Sequence, residues 1–199
     1  MASVNSLREL LVEELRDLYD AEKRLTKALP KMSKAASHDE LTSAIDGHLE
    51  ETKEHVRRLE QAFESLDEPA RAKTCAAMKG LIEEGDEHAG EDYADDGLRD
   101  AAIIGSAQRV EHYEMAAYGT AIAHARLLEL DDVVSLLEST LEEEKAADSK
   151  LTDIADSVVN LDAAAGDDDE DAADEDDEDD DGPAKPVAAK SGGRAKAKG

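Results

Sequence analysis

The chain has few of the residues that build a covalent framework or an aromatic core. Of its 199 residues one is cysteine, four are proline, aromatic residues make up 3 %, and tryptophan is absent. The single Cys75 excludes an internal disulfide framework and fits a reducing compartment. No apolar run approaches the roughly 18 residues that a membrane-spanning helix needs. The stretch MASVNSLRELLVEEL has no basic segment followed by an apolar one, so we expect no signal peptide, no membrane contact and a cytoplasmic location.

Acidic residues are in large excess, and the formal net charge is −28. Residues 162–181 contain 14 acidic residues, and residues 182–199 contain 5 basic ones. Without these two blocks, residues 1–161 still hold 37 acidic and 18 basic residues, a net charge of −19. Such a surface repels nucleic acid and attracts cations, so nucleic acid is not expected as a partner. A salt-rich cytoplasm would account for such an acidic surface.

Apolar residues recur at helical spacing in four long segments. The first begins at the capping box Ser6–Glu9 and the second at the capping box Ser37–Glu40. The second ends near residue 66, the third covers about 98–128, and the fourth runs from 131 or 132 to about 159. Only a few residues separate the first two segments, which predicts an antiparallel hairpin.

About thirty residues, 67–97, separate the second and third segments. Asp67-Glu-Pro69 reads as a helix start, and TCAAMKGLIEEG predicts one or two short helices. This length allows the chain to cross the bundle from end to end before the third helix begins. We therefore predict an all-α, ferritin-like four-helix bundle over residues 1–161. Residues 162–199 have almost nothing to bury and are predicted to form a disordered tail, acidic and then basic.

Each long segment carries carboxylates on the row that faces the predicted core. An unpaired buried charge costs several kcal/mol, so these residues need a counter-charge. Carboxylates combined with imidazole suit iron or manganese, and one carboxylate can bridge two ions. The predicted metal ligands are Glu22, Glu51, His55, Glu111, Glu114, Glu144 and Asp148.

The inward carboxylates are also compatible with a protein that binds no metal. Some of the 51 acidic residues fall on an inward row by chance, and others pair with a basic residue, such as Arg58 or Arg109, at a helix interface. The protein would then be a non-catalytic helical dimer or interaction module. Tyr118 lies on the same row as Glu111 and Glu114, where it could hydrogen-bond a ligand carboxylate or pack as an ordinary core tyrosine.

Several stretches of the chain are similar to one bacterial protein family. They are ELRDLYDAEKRL, HLEETKEHVRRLEQAFE, TCAAMKGLIEEG, AQRVEHYEMAAYGTAIAHA and TLEEEKAADSKLTDIA. Together they resemble the YciE/YciF-type proteins, a branch of the ferritin-like superfamily often described by a domain of unknown function. The resemblance covers residues from about 5 to 160. It implies a four-helix bundle with extra short helices in the crossover, a homodimer, and a role in stress responses.

The resemblance also implies a di-iron pattern, known from rubrerythrin-like relatives, against which this chain can be compared. That pattern has one Glu on each of two helices and Glu-x-x-His on each of the other two. Glu22 and Glu111 match the single glutamates, with Glu114 as an extra carboxylate. His55 is preceded three residues earlier by Thr52 rather than by Glu. Glu144 is followed three residues later by Ala147, with Asp148 as the nearest substitute for histidine. The resemblance therefore implies a di-metal site with oxygen or peroxide chemistry, although the ligand pattern of this chain departs from that of the relatives.

Overall fold

The computed structural model describes residues 4–165, and helices account for nearly all of them. Five α-helices lie in this range: α1 (Leu7–Ala35), α2 (Asp39–Ser65), α3 (Ala76–Gly90), α4 (Asp96–Leu127) and α5 (Asp131–Ile154). Helices α1, α2, α4 and α5 form the four-helix bundle, and α3 packs against α1 and α4 from outside. The predicted all-α, ferritin-like bundle is confirmed. Within 4–165, no helix is long and apolar enough to cross a bilayer.

Helix starts follow capping chemistry, with one correction to the sequence prediction. The side chain of Ser6 accepts a hydrogen bond from the Glu9 amide, as expected for the start of α1. The N-cap of α2 is His38 rather than Ser37, and its Nδ1 accepts from the Glu40 amide at 3.3 Å. The reason is that the buried Asp100 of α4 accepts the backbone amides of both Ser37 and His38, at 2.9 and 2.7 Å. The α1–α2 loop is thereby fixed to α4.

The crossover also differs from the prediction at its beginning. No helix begins at Asp67, which has a positive φ of 53° and ends α2, while the Glu68 amide bonds back to the Phe63 carbonyl at 3.0 Å. The following residues run beside α1, where the amide of Lys73 donates to the Arg16 carbonyl at 3.0 Å. One helix, α3, then forms in the segment for which one or two were predicted. These contacts along α1 explain why the proline at 69 does not start a helix.

The apolar core of the bundle is divided into two clusters. One cluster holds the N-terminal half of α1 with the C-terminal half of α2, for example Leu11 with Phe63. The other holds the C-terminal half of α1 with the N-terminal half of α2, for example Leu29 with Leu41. α1 and α2 are therefore antiparallel. Residues 103–110 of α4 belong to the second cluster and residues 118–125 to the first, so α4 runs parallel to α2, as a crossover of the bundle's full length requires.

A buried polar layer separates these two clusters at the middle of the bundle. On α1, Glu22 lies between Leu18 of one cluster and Leu25 of the other. The same interruption occurs on each of the other three bundle helices. The buried polar residues of the layer are Glu22, His48, Thr52, His55, Glu111, Glu114, Thr140 and Glu144.

The chain continues as a helix beyond α5. A π-helical turn covers Ala155–Val159, and helical structure then extends to residue 165. The first residues of the predicted tail, 162–165, therefore lie in this helix, where they approach Gly97 of α4. The predicted disorder of 166–199 concerns residues outside the described range.

Replacement of Gly97 should destabilise the fold because the backbone of 162–163 passes so close to it. A Cβ at this position would lie 2.9 Å from the Ala163 nitrogen. We expect Gly97→Ala to lower the free energy of unfolding by about 1–3 kcal/mol, as overpacking does. The control is Gly119→Ala in the same helix, whose Cβ would meet nothing within 4 Å; it should stabilise by roughly 0.5–1 kcal/mol. Equal effects of the two substitutions in denaturant unfolding would contradict this packing.

Candidate metal centre

The polar layer brings together two groups of potential metal ligands. One group is His48, Glu111, Glu114 and Glu144; the other is Glu22, His55 and Glu144. Within each group the ligand atoms lie within 4.8 Å of one another, and every residue is buried. Glu144 belongs to both groups. Two adjacent sites that share one carboxylate are the arrangement expected for a pair of bridged ions.

The atoms of this cluster approach closely without forming good hydrogen bonds. Nδ1 of His55 lies 3.0 Å from Oε1 of Glu144 and 3.5 Å from Oε1 of Glu22. Nε2 of His48 lies 3.4 Å from Oε1 of Glu111 and 3.7 Å from Oε2 of Glu144. Nine side-chain atoms of the six residues nevertheless lack a hydrogen-bond partner among residues 4–165. Native proteins rarely leave so many buried polar atoms unsatisfied, so the cluster fits a ligand that is not a protein group.

Polar contacts from outside the cluster hold three of its side chains in place. Nε2 of His55 lies 2.8 Å from Glu143, whose carboxylate also receives two hydrogen bonds from Arg58, at 2.5 and 2.9 Å. The hydroxyl of Tyr118 donates to Oε1 of Glu22 at 2.5 Å. The carboxylate of Glu51 lies 3.5 Å from Nδ1 of His48. Such outer partners orient metal ligands and fix the tautomer of a histidine.

Burial strongly disfavours charge on the carboxylates. It raises the pKa of Glu22, and it raises the pKa of Glu111 and Glu114 well above the usual value, with neighbouring carboxylates adding to the effect. Burial alone would lower the pKa of each histidine, but nearby glutamates outweigh it. The pKa of His48 rises to about 9 and that of His55 to about 11. Without added cations, the cluster therefore retains protons.

The donor set fits divalent iron or manganese. It offers four carboxylates and two imidazoles, which suit these metals better than the all-oxygen sites of calcium or magnesium. Four ionised carboxylates and two neutral imidazoles carry a charge of about −4, which two divalent ions neutralise.

The structure brings together five of the seven ligands predicted from sequence. These five are Glu22, His55, Glu111, Glu114 and Glu144. The side chain of Glu51 is 50 % exposed and reaches the cluster only through His48. Asp148 accepts a hydrogen bond from Gln108 at 3.2 Å and lies 3.4 Å from His112, which is itself exposed. Both carboxylates therefore lie outside the two groups.

His48 belongs to the cluster but is missing from the ligands predicted from sequence. Its signal was present: His48, Thr52 and His55 are spaced by four and three residues, so they share one helix face. Glu51 lies about 100° around the helix from Thr52. The hydroxyl of Thr52 donates to the His48 carbonyl at 2.8 Å, so it replaces the expected glutamate without reaching toward the cluster.

The residues of the bundle match a known protein family in sequence. Residues 6–164 match a family model described as a domain of unknown function, DUF892. Protein YciF of Escherichia coli is 43 % identical over 159 residues, which cover 79 % of this chain and 95 % of that relative.

Solved structures of YciF-type proteins are similar to this chain in both sequence and fold. The crystal structure of the E. coli stress protein YciF has a TM-score of 0.75 at 44 % identity, covering 79 % of this chain and 99 % of that one. YcfI from Rhodopseudomonas palustris has a TM-score of 0.73 at 47 % identity, covering 75 % and 95 %. A Xanthomonas campestris protein, at 22 % identity, has a TM-score of 0.63 over 84 % of this chain and 99 % of its own, and shows only a shared fold.

Removal of one buried carboxylate should stabilise the metal-free protein, and more so at high pH. A carboxyl group whose pKa is raised in the folded state contributes stability below its unfolded pKa, which is lost as pH rises through the folded pKa. We expect metal-free Glu114→Gln to match wild type near pH 5 and to exceed it at pH 8 by about 1 kcal/mol or more. Urea unfolding at both pH values measures this difference. The exposed Glu64→Gln should show no such trend, and a destabilised Glu114→Gln at pH 8 would contradict the burial argument.

Proposed function

The chain belongs to the DUF892 family, whose solved relatives include a bacterial stress protein, and from this premise we propose that it is a ferritin-like stress-response protein that binds two iron or manganese ions in the bundle core. The observation that carries the proposal is the polar layer itself. Six buried ligand residues come from four different helices and form two groups that share Glu144. A purely structural bundle gains nothing from unsatisfied carboxylates at this depth.

The two groups suggest which residues hold each ion. His48, Glu111 and Glu114 would hold one ion, Glu22 and His55 the other, and Glu144 would bridge them. Glu51 and Asp148, predicted from sequence, are assigned to the surroundings instead. Iron or manganese bound here would supply one-electron redox chemistry toward dioxygen or peroxide.

The protein's own side chains would prepare the site in two ways. The ion pair of Arg58 with Glu143 keeps the His55 ring oriented, so that Nδ1 points to Glu22 and Glu144. The apolar clusters above and below the layer keep bulk water away along the bundle axis, which strengthens the electrostatic interactions inside. We also propose that the protein is a cytoplasmic homodimer. The dimer rests on the family resemblance, and the cytoplasmic location rests on the single cysteine.

Metal content is the direct test. After anaerobic loading and desalting, we expect about two ions per chain in wild type, measured by elemental analysis, and a raised melting temperature, because a ligand that binds only the folded state stabilises it. Glu144→Gln should lose both ions, since it removes the shared ligand. Asp148→Asn is the matched control and should retain both. Wild-type protein without metal, and with an unchanged melting temperature, would favour the non-catalytic helical module.

Substitutions in either ligand group should remove one ion and leave the other bound. His48→Ala removes a ligand of one group only, so we expect about one ion per chain to remain. Glu22→Gln should also leave about one ion, on the other side. Two retained ions in both variants would contradict the assignment. The pH dependence supplies a second check: protons compete for these ligands, so affinity should fall as pH is lowered from 8 to 5.

A further inference from the structure

Gly47 lies in the interior of α2. Glycine in a helix interior costs roughly 0.5–1 kcal/mol relative to alanine. It is usually retained because a neighbour passes too close for a side chain, as at Gly97. A Cβ at Gly47 would meet nothing within 4 Å, and the residue is exposed. Crowding therefore explains neither this glycine nor Gly80 and Gly119, but of these three only Gly47 lines the cavity between α2, α4 and α5.

An open cavity lies directly beside Gly47. It has a volume of about 130 Å³ and extends between α2, α4 and α5. Gly47, Glu51, Ala146 and Lys150 are the exposed residues at its mouth. Most of the remaining wall is apolar, formed by Leu29, Ala44, Ile45, Ala107, Ala147 and Leu151. Small residues on α2 and α5 keep this passage open.

The inner end of the cavity reaches the polar layer. His48 and Glu111 line it there, and their side chains are only 8 % and 4 % exposed. Both ring nitrogens of His48 and Oε2 of Glu111 lack a hydrogen-bond partner among the described residues. The cavity thus connects solvent to buried polar atoms that form no hydrogen bond with residues 4–165.

We propose that this cavity admits a small uncharged molecule, of the class of dioxygen or hydrogen peroxide, to the His48–Glu111 side of the cluster. The inference rests on the proposed function, which it deepens by naming the route by which such a molecule enters. A cavity of similar volume, about 150 Å³, accommodates benzene, so the ligand has no more than about six non-hydrogen atoms. Glu51 and Lys150 carry opposite charges at the mouth, so the mouth favours neither sign. The glutamates inside repel anions, and apolar walls disfavour a hydrated cation.

A second cavity that contacts Glu111 is much smaller. It lies between α1, α3 and α4 and has a volume of about 20 Å³, which leaves room for roughly one water molecule. It reaches Glu111 but not His48. The passage beside Gly47 is therefore the route that we assign to the ligand.

Two glycine substitutions test the assignment with a matched control. Gly47→Leu places a side chain at the mouth, whereas Gly80→Leu places the same side chain on exposed α3, away from the cavity, where a Cβ also meets nothing within 4 Å. In the iron-loaded full-length protein, we expect Gly47→Leu to slow ferrous oxidation by hydrogen peroxide at least tenfold in stopped flow. Gly80→Leu should react as wild type does. Both should load iron at the wild-type rate and to the wild-type content.

A second measurement uses the metal-free protein, so it does not depend on metal binding. Crystals under xenon pressure should show xenon in the wild-type cavity and in Gly80→Leu, with occupancy reduced severalfold in Gly47→Leu. Ala146→Leu, across the mouth on α5, should repeat the Gly47→Leu result if that variant folds poorly. Unchanged xenon occupancy and oxidation rate in both variants, or slowed iron loading in them, would overturn the entry route. Xenon binding as expected in a protein that takes up no metal would instead overturn the proposed function alone.

Discussion

Four glutamates are buried at one level of a helical bundle, and the mutual repulsion of their carboxylates constrains the structure around them. Glu22, Glu111, Glu114 and Glu144 come from α1, α4 and α5, while α2 faces them with His48 and His55. An uncompensated charge at this depth would cost several kcal/mol. The protein must therefore supply protons, imidazolium ions or bound cations, and each choice changes what the bundle can do. Protons and imidazolium ions make the layer an inert structural element, whereas metal ions make it a reactive centre.

The bundle tolerates this layer because its apolar core is complete on both sides. Leu11, Leu15 and Leu18 belong to one cluster, and Leu25 and Leu29 to the other, so stability is provided by two separate bodies of apolar contacts. The polar layer can then be arranged for ligand binding at a cost to stability, a compromise common at functional sites. The crossover also helps to bring the polar residues together. It fixes α2 and α4 parallel to each other, so that residues near the middle of each helix meet at one height.

The surroundings of the cluster are not symmetric. On the Glu22–His55 side, Tyr118 donates a hydrogen bond to Glu22, and Glu143 links His55 to Arg58. On the His48–Glu111 side, a cavity leads to the exterior past Gly47. One side is thus built to hold its ligands rigidly, and the other leaves space beside them. This difference is typical of sites in which a ligand approaches from one direction.

The sequence by itself determined the helical class, the crossover connection and most of the buried carboxylates, because helical periodicity places residues on a face without knowledge of the neighbours. It also showed that Glu22, Glu111, Glu114 and Glu144 interrupt apolar rows. Only the tertiary structure decided between His48 and Glu51, which are three residues apart on α2, since the orientation of a helix about its own axis depends on what packs against it. It likewise decided that Asp148 pairs with Gln108 and that an open cavity reaches the buried cluster. These features depend on contacts between residues far apart in the chain, which a periodic pattern does not encode.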